Sequence, residues 1–188
     1  MSTGDARVTL HMVASLDGYI ARKDGRVDWL ERSDSFEAGE LLDPQYIQDF
    51  LRGIDCYVMG SRTYETALGF EDKGMGWAYG DKPLIVLTSR ELPKRRETVE
   101  FYAGDLARLV NDRLSPSYRN IWVVGGGSVA TDCLRRGLVD EVRYTIAPVL
   151  IGEGISFFGG IEPDVLLHLL EVKAYRSGIV ALRHEVVK

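Results

Sequence analysis

The residues best suited to chemistry lie in a glycine-rich turn that joins an apolar strand to a helix. The apolar residues 121–124 lead directly into Gly125, Gly126, Gly127 and Ser128. Glycine lets the backbone approach a ligand closely, and the first turn of a helix presents free N–H groups at the positive end of its dipole. One glycine is enough for a tight turn, so three in succession favour a phosphate-binding turn over a purely structural one.

A second junction, in the segment MGSRTYE, has the same design. Gly60 allows the chain to turn, and Arg62 and Thr63 place a guanidinium and a hydroxyl at the start of a helix. Both groups suit phosphate oxygens. A capped helix with an exposed arginine is the alternative, and this segment alone does not separate the two.

A third junction, in the segment VLTSRE, places Thr88, Ser89 and Arg90 at the end of another apolar strand. Hydroxyls beside an arginine suit a ribose 2′-phosphate, which would select NADPH over NADH. An ordinary polar turn is the alternative. In an open α/β sheet, however, ligands bind at the carboxyl ends of the strands, so the three junctions together predict one site long enough for a dinucleotide.

The glycine turn also fits the pattern G-x-G-x-x-A, but we do not interpret it as a Rossmann fingerprint. That fingerprint belongs to the first strand–helix turn of its unit and requires an acidic residue at the end of the next strand. Here the turn comes late, and Asp140 and Glu141 lie at the start of the next predicted strand rather than at its end. No Tyr-x-x-x-Lys pattern of a short-chain oxidoreductase follows it either.

The predicted elements alternate between strands and helices until the carboxyl-terminal tail. Asp43 and Pro44 begin one helix as cap and first residue, with Ile47, Phe50, Leu51 and Ile54 expected as one buried stripe. A long loop is predicted over residues 69–82, and the tail is predicted to form an antiparallel hairpin. The predicted fold class is α/β, with a mostly parallel sheet and an antiparallel edge. The predicted strands are 8–15, 56–59, 83–88, 99–102, 121–124, 141–147, 171–175 and 179–187, and the later helices are 106–114 and 129–136.

Length and charge limit the class of protein. The 188 residues suit one domain, and the net charge of −5 argues against nucleic acid and anionic membranes as partners. No apolar run is long enough to span a membrane, and the opening residues lack the apolar segment of a signal peptide, so we expect a cytoplasmic location. Cys56, Cys133 and the three histidines lack metal-ligand spacing, so we expect no metal.

The ordered set of segments resembles a known family. VASLDGYIA, MGSRTYE, VLTSRE, VVGGGSVATDCLRRGLVDEVRYTIAPVLIGEG and SGIVALRHE follow one another as in the dihydrofolate reductase-like fold. The chain is most similar to the branch that contains the reductase domain of riboflavin biosynthesis, the RibD C-terminal domain, and its small stand-alone relatives. The resemblance extends over nearly the whole chain, so it implies a single domain over residues 1–188 with the three-layer fold of that family.

The resemblance implies a role for each matching residue. The first two junctions, with Val129, would bind the pyrophosphate of NADPH, and the bond between two glycines of the late turn is commonly cis in this fold. The third junction would bind the 2′-phosphate. The backbone of Val13 and Ala14 would border the nicotinamide. The residues expected to close over the reacting ring or line the substrate pocket are Ser15, Leu16, Asp17, Gly18, Tyr19 and Thr145.

The implied activity is hydride transfer from NADPH to a pyrimidine- or pterin-like heterocycle, as in 5-amino-6-(5-phosphoribosylamino)uracil reductase or dihydrofolate reductase. This chain departs from dihydrofolate reductases in the group that would donate a proton to the substrate. Dihydrofolate reductases place a carboxylate near the start of the first helix, where this chain has Pro44 or Gln45. Asp17 is the nearest alternative proton donor, although an Asp-Gly pair also suits a simple turn. A catalytically silent NADP-binding module of the same fold is therefore the alternative function. The sequence does not give the oligomeric state, but small relatives of this branch are often dimers, so the resemblance implies a homodimer.

Overall fold

The computed structural model describes residues 6–31 and 34–188, which form one eight-stranded sheet with helices on both faces. The strand order is β5-β4-β3-β6-β1-β7-β10-β9, and β2 pairs with β8 in a separate two-stranded ribbon. The strands are β1 Arg7–Ser15, β2 Tyr19–Ala21, β3 Cys56–Gly60, β4 Leu84–Leu87, β5 Val99–Tyr102, β6 Asn120–Gly125, β7 Glu141–Ala147, β8 Ile155–Ser156, β9 Leu167–Ala174 and β10 Val180–Val186.

The first six strands of this order are parallel, and β10 then pairs antiparallel with both β7 and β9. The predicted fold class, a mostly parallel α/β sheet with an antiparallel carboxyl-terminal hairpin, is confirmed. Because the six parallel strands point the same way, their carboxyl ends lie along a single edge of the sheet.

Four helices connect the strands. They are α1 Pro44–Gly53, α2 Ser61–Asp72, α3 Leu106–Arg108 and α4 Gly127–Arg135, and α3 continues into a π-helical segment, Leu109–Leu114. The prediction that Asp43 caps α1 is confirmed, since its carboxylate accepts a hydrogen bond of 2.8 Å from the backbone N–H of Gln45. Helix α4 begins at Gly127 rather than at the predicted residue 129.

The prediction of one buried stripe on α1 is wrong in part. No residue of α1 is fully buried, and Ile47 is 40% exposed, whereas Ile54 just after the helix is buried. The cause is the sheet face beneath the helix, which carries charged side chains. The Arg143 guanidinium lies 4.5 Å from the centre of the Phe50 ring, and the Lys173 ammonium lies 4.3 Å from that of Tyr46.

The predicted loop over residues 69–82 is shorter than expected, because α2 continues to Asp72. One internal glycine costs a helix only about 1 kcal/mol. The last turn is also held by ion pairs from Arg95 to Asp72 and from Arg96 to Glu71. In the rest of the loop, Trp77 and Tyr79 pack against the protein, and the Trp77 ring lies 4.2 Å from the Arg96 guanidinium.

Two hydrophobic clusters hold the layers together, one on each face of the sheet. The larger packs β1 and β6 against α3 and α4, and includes Leu10, Val123 and Leu134. The smaller packs β3 and β4 against α2, around Tyr57 and Tyr64. Within the described ranges, no helix has both the length and the apolar character needed to cross a membrane.

Candidate functional site

The carboxyl edge of the sheet brings the three predicted junctions into one line. Strands β4, β3, β6 and β1 are neighbours in that order, and they end at Leu87, Gly60, Gly125 and Ser15. With strands about 4.8 Å apart, the line from β4 to β1 is about 14 Å long. An extended ligand can therefore contact all of these strand ends at once.

Helices α2 and α4 begin side by side at this edge. An added Cβ at Gly60 would lie 3.2 Å from the Val129 side chain, and one at Gly126 would lie 3.6 Å from the Thr63 hydroxyl. Gly60 and Gly126 are the N-cap residues of the two helices, and neither helix has a side-chain cap. Helices α1 and α3, by contrast, are capped by aspartates. Free N–H groups at two adjacent helix starts form a favourable place for a pyrophosphate.

The three glycines of the late turn have different physical roles. A side chain at Gly127 would collide with the backbone carbonyl of Ser156, so this glycine is required by packing against β8. Gly125 has a φ of +131° and lies against Met12, and the bond from Gly125 to Gly126 is cis. At Gly126, in contrast, an added Cβ would meet only ordinary contacts, so Gly126 faces the space available to a ligand.

A groove of about 620 Å³ extends from this turn toward β4 and β5. The predicted residues Thr88, Ser89, Ser128 and Val129 all line it. Arg136 also lies in the groove, but Asp105 and Asp132 neutralise it with ion pairs of 2.9 and 3.0 Å. The structure thus places hydroxyl groups of two junctions around one elongated cavity.

Arg90 lies outside the lining of the groove. Its guanidinium pairs with the Glu65 carboxylate at 2.7 Å, and its backbone N–H donates to the Thr88 hydroxyl at 2.9 Å. Both charged side chains are largely exposed, so a phosphate can compete with Glu65 for Arg90. Arg62, at the start of α2, is exposed.

The loop after β1 is tied to the segment that follows β7. The Ser15 hydroxyl accepts a hydrogen bond from the Tyr19 N–H at 3.0 Å, and Tyr19 pairs with Ser156 in the small ribbon. The Asp17 carboxylate accepts hydrogen bonds from the backbone N–H groups of Ile151 and Gly152, at 3.2 and 2.7 Å. These contacts hold the loop beside the end of β1.

The hydrogen bonds of Asp17 also determine its charge. Desolvation raises the pKa of this carboxyl, but hydrogen bonds from the Ser15 hydroxyl and the backbone outweigh it and hold the pKa below its ordinary value. Asp17 is therefore ionised at neutral pH and already accepts hydrogen bonds. This geometry favours a role in holding the loop over the predicted role as proton donor.

The end of β1 also adjoins the predicted substrate residue on β7. Val13 is the register partner of Thr145, and Ala14 beside it is fully buried. The Thr145 hydroxyl lies 3.2 Å from Nε2 of His11 on β1. On sequence grounds, His11 is considered only as a metal ligand and is given no role in the site. Its position two residues before Val13, on the same strand face, is the signal that links it to the site.

The cationic side chains of the loop after β2 are already paired with carboxylates. Arg22 pairs with Asp28, Lys23 with Glu153 and Arg26 with Asp24. The face beneath α1 instead carries three arginines around one carboxylate, Glu141, which is fully buried. The arginines are Arg7, Arg143 and Arg183.

The described residues are not arranged for metal binding or thiol chemistry. In the ranges 6–31 and 34–188, no three His, Cys, Asp or Glu residues cluster closely enough to hold a metal ion. Cys56 and Cys133 are buried, and desolvation raises the pKa of each thiol to about 12. Neither is therefore a reactive thiolate at neutral pH.

Comparison with known proteins gives consistent results over the whole chain. The sequence profile of the RibD C-terminal domain matches residues 6–181. YwjB of Bacillus subtilis (strain 168), a protein of uncharacterised function, is 32% identical over 176 residues, which cover 93% of this chain and 95% of YwjB. The riboflavin biosynthesis protein RibD of Corynebacterium ammoniagenes is 29% identical over 79% of this chain, but the match covers only 45% of that protein.

The fold comparison agrees. A crystal structure from Shewanella sp. PV-4, of a protein named for riboflavin biosynthesis, superposes with a TM-score of 0.82 at 25% identity. The match covers 97% of this chain and 99% of that one.

Proposed function

The chain belongs to the RibD C-terminal domain family, and from that premise we propose that it is an NADPH-dependent reductase of a small pyrimidine- or pterin-like heterocycle. The observation that carries the proposal is the pair of uncapped helix starts, at Gly60 and Gly126, on the same sheet edge as the hydroxyl-lined groove. Bound there, NADPH would supply a hydride from C4 of its nicotinamide.

Different residues along this edge would bind different parts of NADPH and the substrate. The N–H groups that begin α2 and α4 would bind the pyrophosphate, with Thr63 and Ser128 beside them. Thr88 and Ser89 would bind the adenosine half in the groove. The backbone of Val13 and the loop tied down by Asp17 would hold the nicotinamide end and exclude water from it. The substrate would then lie beside Thr145.

We expect Arg90→Ala to reduce the preference for NADPH over NADH roughly tenfold, because it removes one charged contact to the 2′-phosphate. Glu65→Gln should have the opposite effect, because the guanidinium no longer has a competing carboxylate. Isothermal titration with both cofactors measures the preference. Arg26→Ala, which removes a guanidinium paired with Asp24 far from the groove, is the matched control. An unchanged preference in Arg90→Ala would remove this arginine from the site.

Turnover distinguishes the reductase from the silent NADP-binding module. The position of a helix carboxylate is taken by Pro44 or Gln45, and Asp17 is engaged by backbone N–H groups. We propose that the substrate is one that needs no carboxylate from α1. Oxidation of NADPH with any member of a panel of pterins, deaminated pyrimidines and ribosylaminopyrimidines would exclude the silent module. Tight NADPH binding without any oxidation would favour it.

We also propose that the protein is a homodimer that pairs through β9. This strand ends the sheet, and most of its exposed side chains are apolar: Leu167, Leu169 and Val172 are 44%, 51% and 55% exposed. The charged residues of the strand, Glu171 and Lys173, pair with each other. A largely apolar edge strand is prone to pair with another edge, and two copies of β9 can pair antiparallel about a two-fold axis.

We expect Leu169→Lys to convert the dimer to a monomer, because the substitution places a charge in the apolar contact. Light scattering during size-exclusion chromatography measures the mass in solution. Met75→Lys, at a side chain 63% exposed on another surface, is the control and should remain dimeric. A wild-type protein that elutes as a monomer at micromolar concentration would contradict the proposal.

A further inference from the structure

The sheet face beneath α1 contains a polar pair, of which the proposed function uses only Thr145. His11 on β1 and Thr145 on β7 are joined by a contact of 3.2 Å between Nε2 and Oγ1. No other hydrogen bond of the Thr145 side chain occurs among the described residues. Because side chains alternate along a strand, His11 and Val13 face the same side of the sheet as Thr145. The pair therefore lies directly beside the predicted nicotinamide end of the site.

The His11 ring is held rigidly by aromatic side chains. It stacks on the Trp122 ring, with centroids 5.4 Å apart and planes at 24°, and the Phe50 ring meets its edge at 5.4 Å. Its other nitrogen, Nδ1, is shielded from solvent and has no hydrogen-bond partner in the part of the chain that the structure describes. The ring thus has one polar contact, and that contact is Thr145.

Burial keeps this ring neutral. Desolvation, followed by the nearby Arg143 guanidinium, lowers the pKa of His11 from 6.5 to about 4, although Glu141 opposes the shift. At neutral pH the imidazole therefore carries one N–H group and one bare nitrogen. The ring is a fixed hydrogen-bonding group rather than an acid.

The two nitrogens are not equivalent in this environment. A buried N–H without an acceptor is rarer in proteins than a buried acceptor without a donor. This preference places the proton on Nε2, from which it is donated to the Thr145 oxygen. The hydroxyl proton of Thr145 then has no acceptor among the described residues and remains available to a ligand.

We propose that His11 is a positioning residue, which donates from Nε2 and thereby turns the Thr145 hydroxyl into a fixed hydrogen-bond donor toward the substrate. The inference rests on the proposed function, because it places the substrate beside Thr145. It also defines a substrate class: heterocycles that present a carbonyl oxygen at this position bind. Heterocycles that present amino groups there meet another donor and bind poorly.

The tautomer is testable in the free protein, without cofactor or substrate. The chain contains three histidines, so a two-bond ¹⁵N–¹H spectrum of protein labelled with ¹⁵N-histidine can be assigned with His11→Gln. We expect the His11 signals of a neutral ring protonated at Nε2, unchanged from pH 7 to pH 5. Thr145→Val should shift the Nε2–H signal. A ring protonated at Nδ1, or a cationic ring at pH 7, would overturn the proposal.

The specificity is testable in protein saturated with NADPH, with uracil and 2,4-diaminopyrimidine as probes and calorimetry as the readout. We expect uracil to bind more tightly than 2,4-diaminopyrimidine. His11→Phe and Thr145→Val should each weaken uracil binding about tenfold, because each removes one neutral hydrogen bond. The double variant should be no weaker than Thr145→Val alone, because both changes remove the same donor. Neither change should alter NADPH affinity.

Two variants separate positioning from packing. His11→Gln keeps an N–H donor of similar reach and should restore most of the uracil affinity. His168→Gln, at an exposed position on β9, should leave the uracil affinity unchanged. Melting temperatures identify any variant that fails to fold. Preference for diaminopyrimidine, absence of uracil binding to the NADPH complex, or wild-type affinity in His11→Phe would each refute the inference. Failure to bind NADPH at all would instead refute the proposed function.

Discussion

Replacing Ser128 by aspartate is expected to abolish most cofactor binding while leaving the fold intact or slightly more stable. Ser128 is exposed in the first turn of α4 and lines the groove. A carboxylate there lies within about 5 Å of a pyrophosphate bound at the helix start, and like charges at that distance repel by about 3 kcal/mol at an effective dielectric constant of about 20. NADPH affinity should fall about 100-fold.

The stability of the same variant should change in the opposite direction. A negative charge in the first turn of a helix interacts favourably with the helix dipole, by about 0.3–1 kcal/mol. Thermal unfolding of the free protein should therefore show an unchanged or raised Tm. Ser128→Asn, which matches the shape without the charge, should bind NADPH nearly as well as wild type. If Ser128→Asp retained wild-type affinity, the pyrophosphate could not lie at the start of α4.

The largest loss of stability is expected from Glu141→Gln. The Glu141 side chain is fully buried, and its carboxylate contacts Arg7, Arg143 and Arg183 at 2.5, 2.5 and 2.9 Å. Removing the negative charge leaves three guanidinium groups without their counter-ion, and breaking a buried ion pair in this way costs about 3–5 kcal/mol. Urea unfolding should show a much lower midpoint.

The matched control for this prediction is Glu171→Gln on the neighbouring strand β9. Glu171 pairs with Lys173 at 3.2 Å, and both side chains are partly exposed. Such partly exposed pairs contribute about 0–1 kcal/mol, so this variant should remain close to wild type. Equal effects at Glu141 and Glu171 would show that the buried cluster contributes no more than a surface pair.

The pH dependence of stability should show the contribution of the ionised Glu141 carboxylate separately. Desolvation raises the pKa of this carboxyl, but hydrogen bonds from Arg183 and Arg143 outweigh it and hold the pKa below its usual 4.5. A carboxyl with a lowered pKa stabilises the folded state above pH 4.5 and loses that contribution as the pH falls through its folded-state value. Glu141→Gln should therefore flatten the loss of stability below pH 4.5.

His11 affects the stability of the folded state over a different range of pH. Its pKa falls from 6.5 to about 4 on folding, so the unfolded chain binds a proton between these values and the folded chain does not. Proton binding by His11 in the unfolded chain therefore lowers the stability of the folded state as the pH falls from 6.5 toward 4. This effect should persist in Glu141→Gln. The separate windows allow the two groups to be distinguished by unfolding at several pH values.

Much of the site could be predicted because its signals are local in the sequence. Apolar runs that end in glycine and polar residues indicate strand–helix junctions, and parallel strands place such junctions on one edge. Thr88, Ser89, Ser128 and Val129 accordingly line one groove. The loop prediction failed at Gly69 because the ion pairs that extend α2 come from Arg95 and Arg96, more than twenty residues further along the chain.

The sequence by itself indicated the α/β class and the strand–helix junctions that could bind a dinucleotide. Only the tertiary structure decided how the strands are ordered in the sheet and which of the junction residues border open space. Gly127 is needed for packing against Ser156, and Gly126 borders the open space. His11 meets Thr145 across 134 residues of chain. The physical reason is that spacing along the chain determines local turns and periodicity, whereas contacts between distant residues depend on strand register and packing, which no short segment encodes.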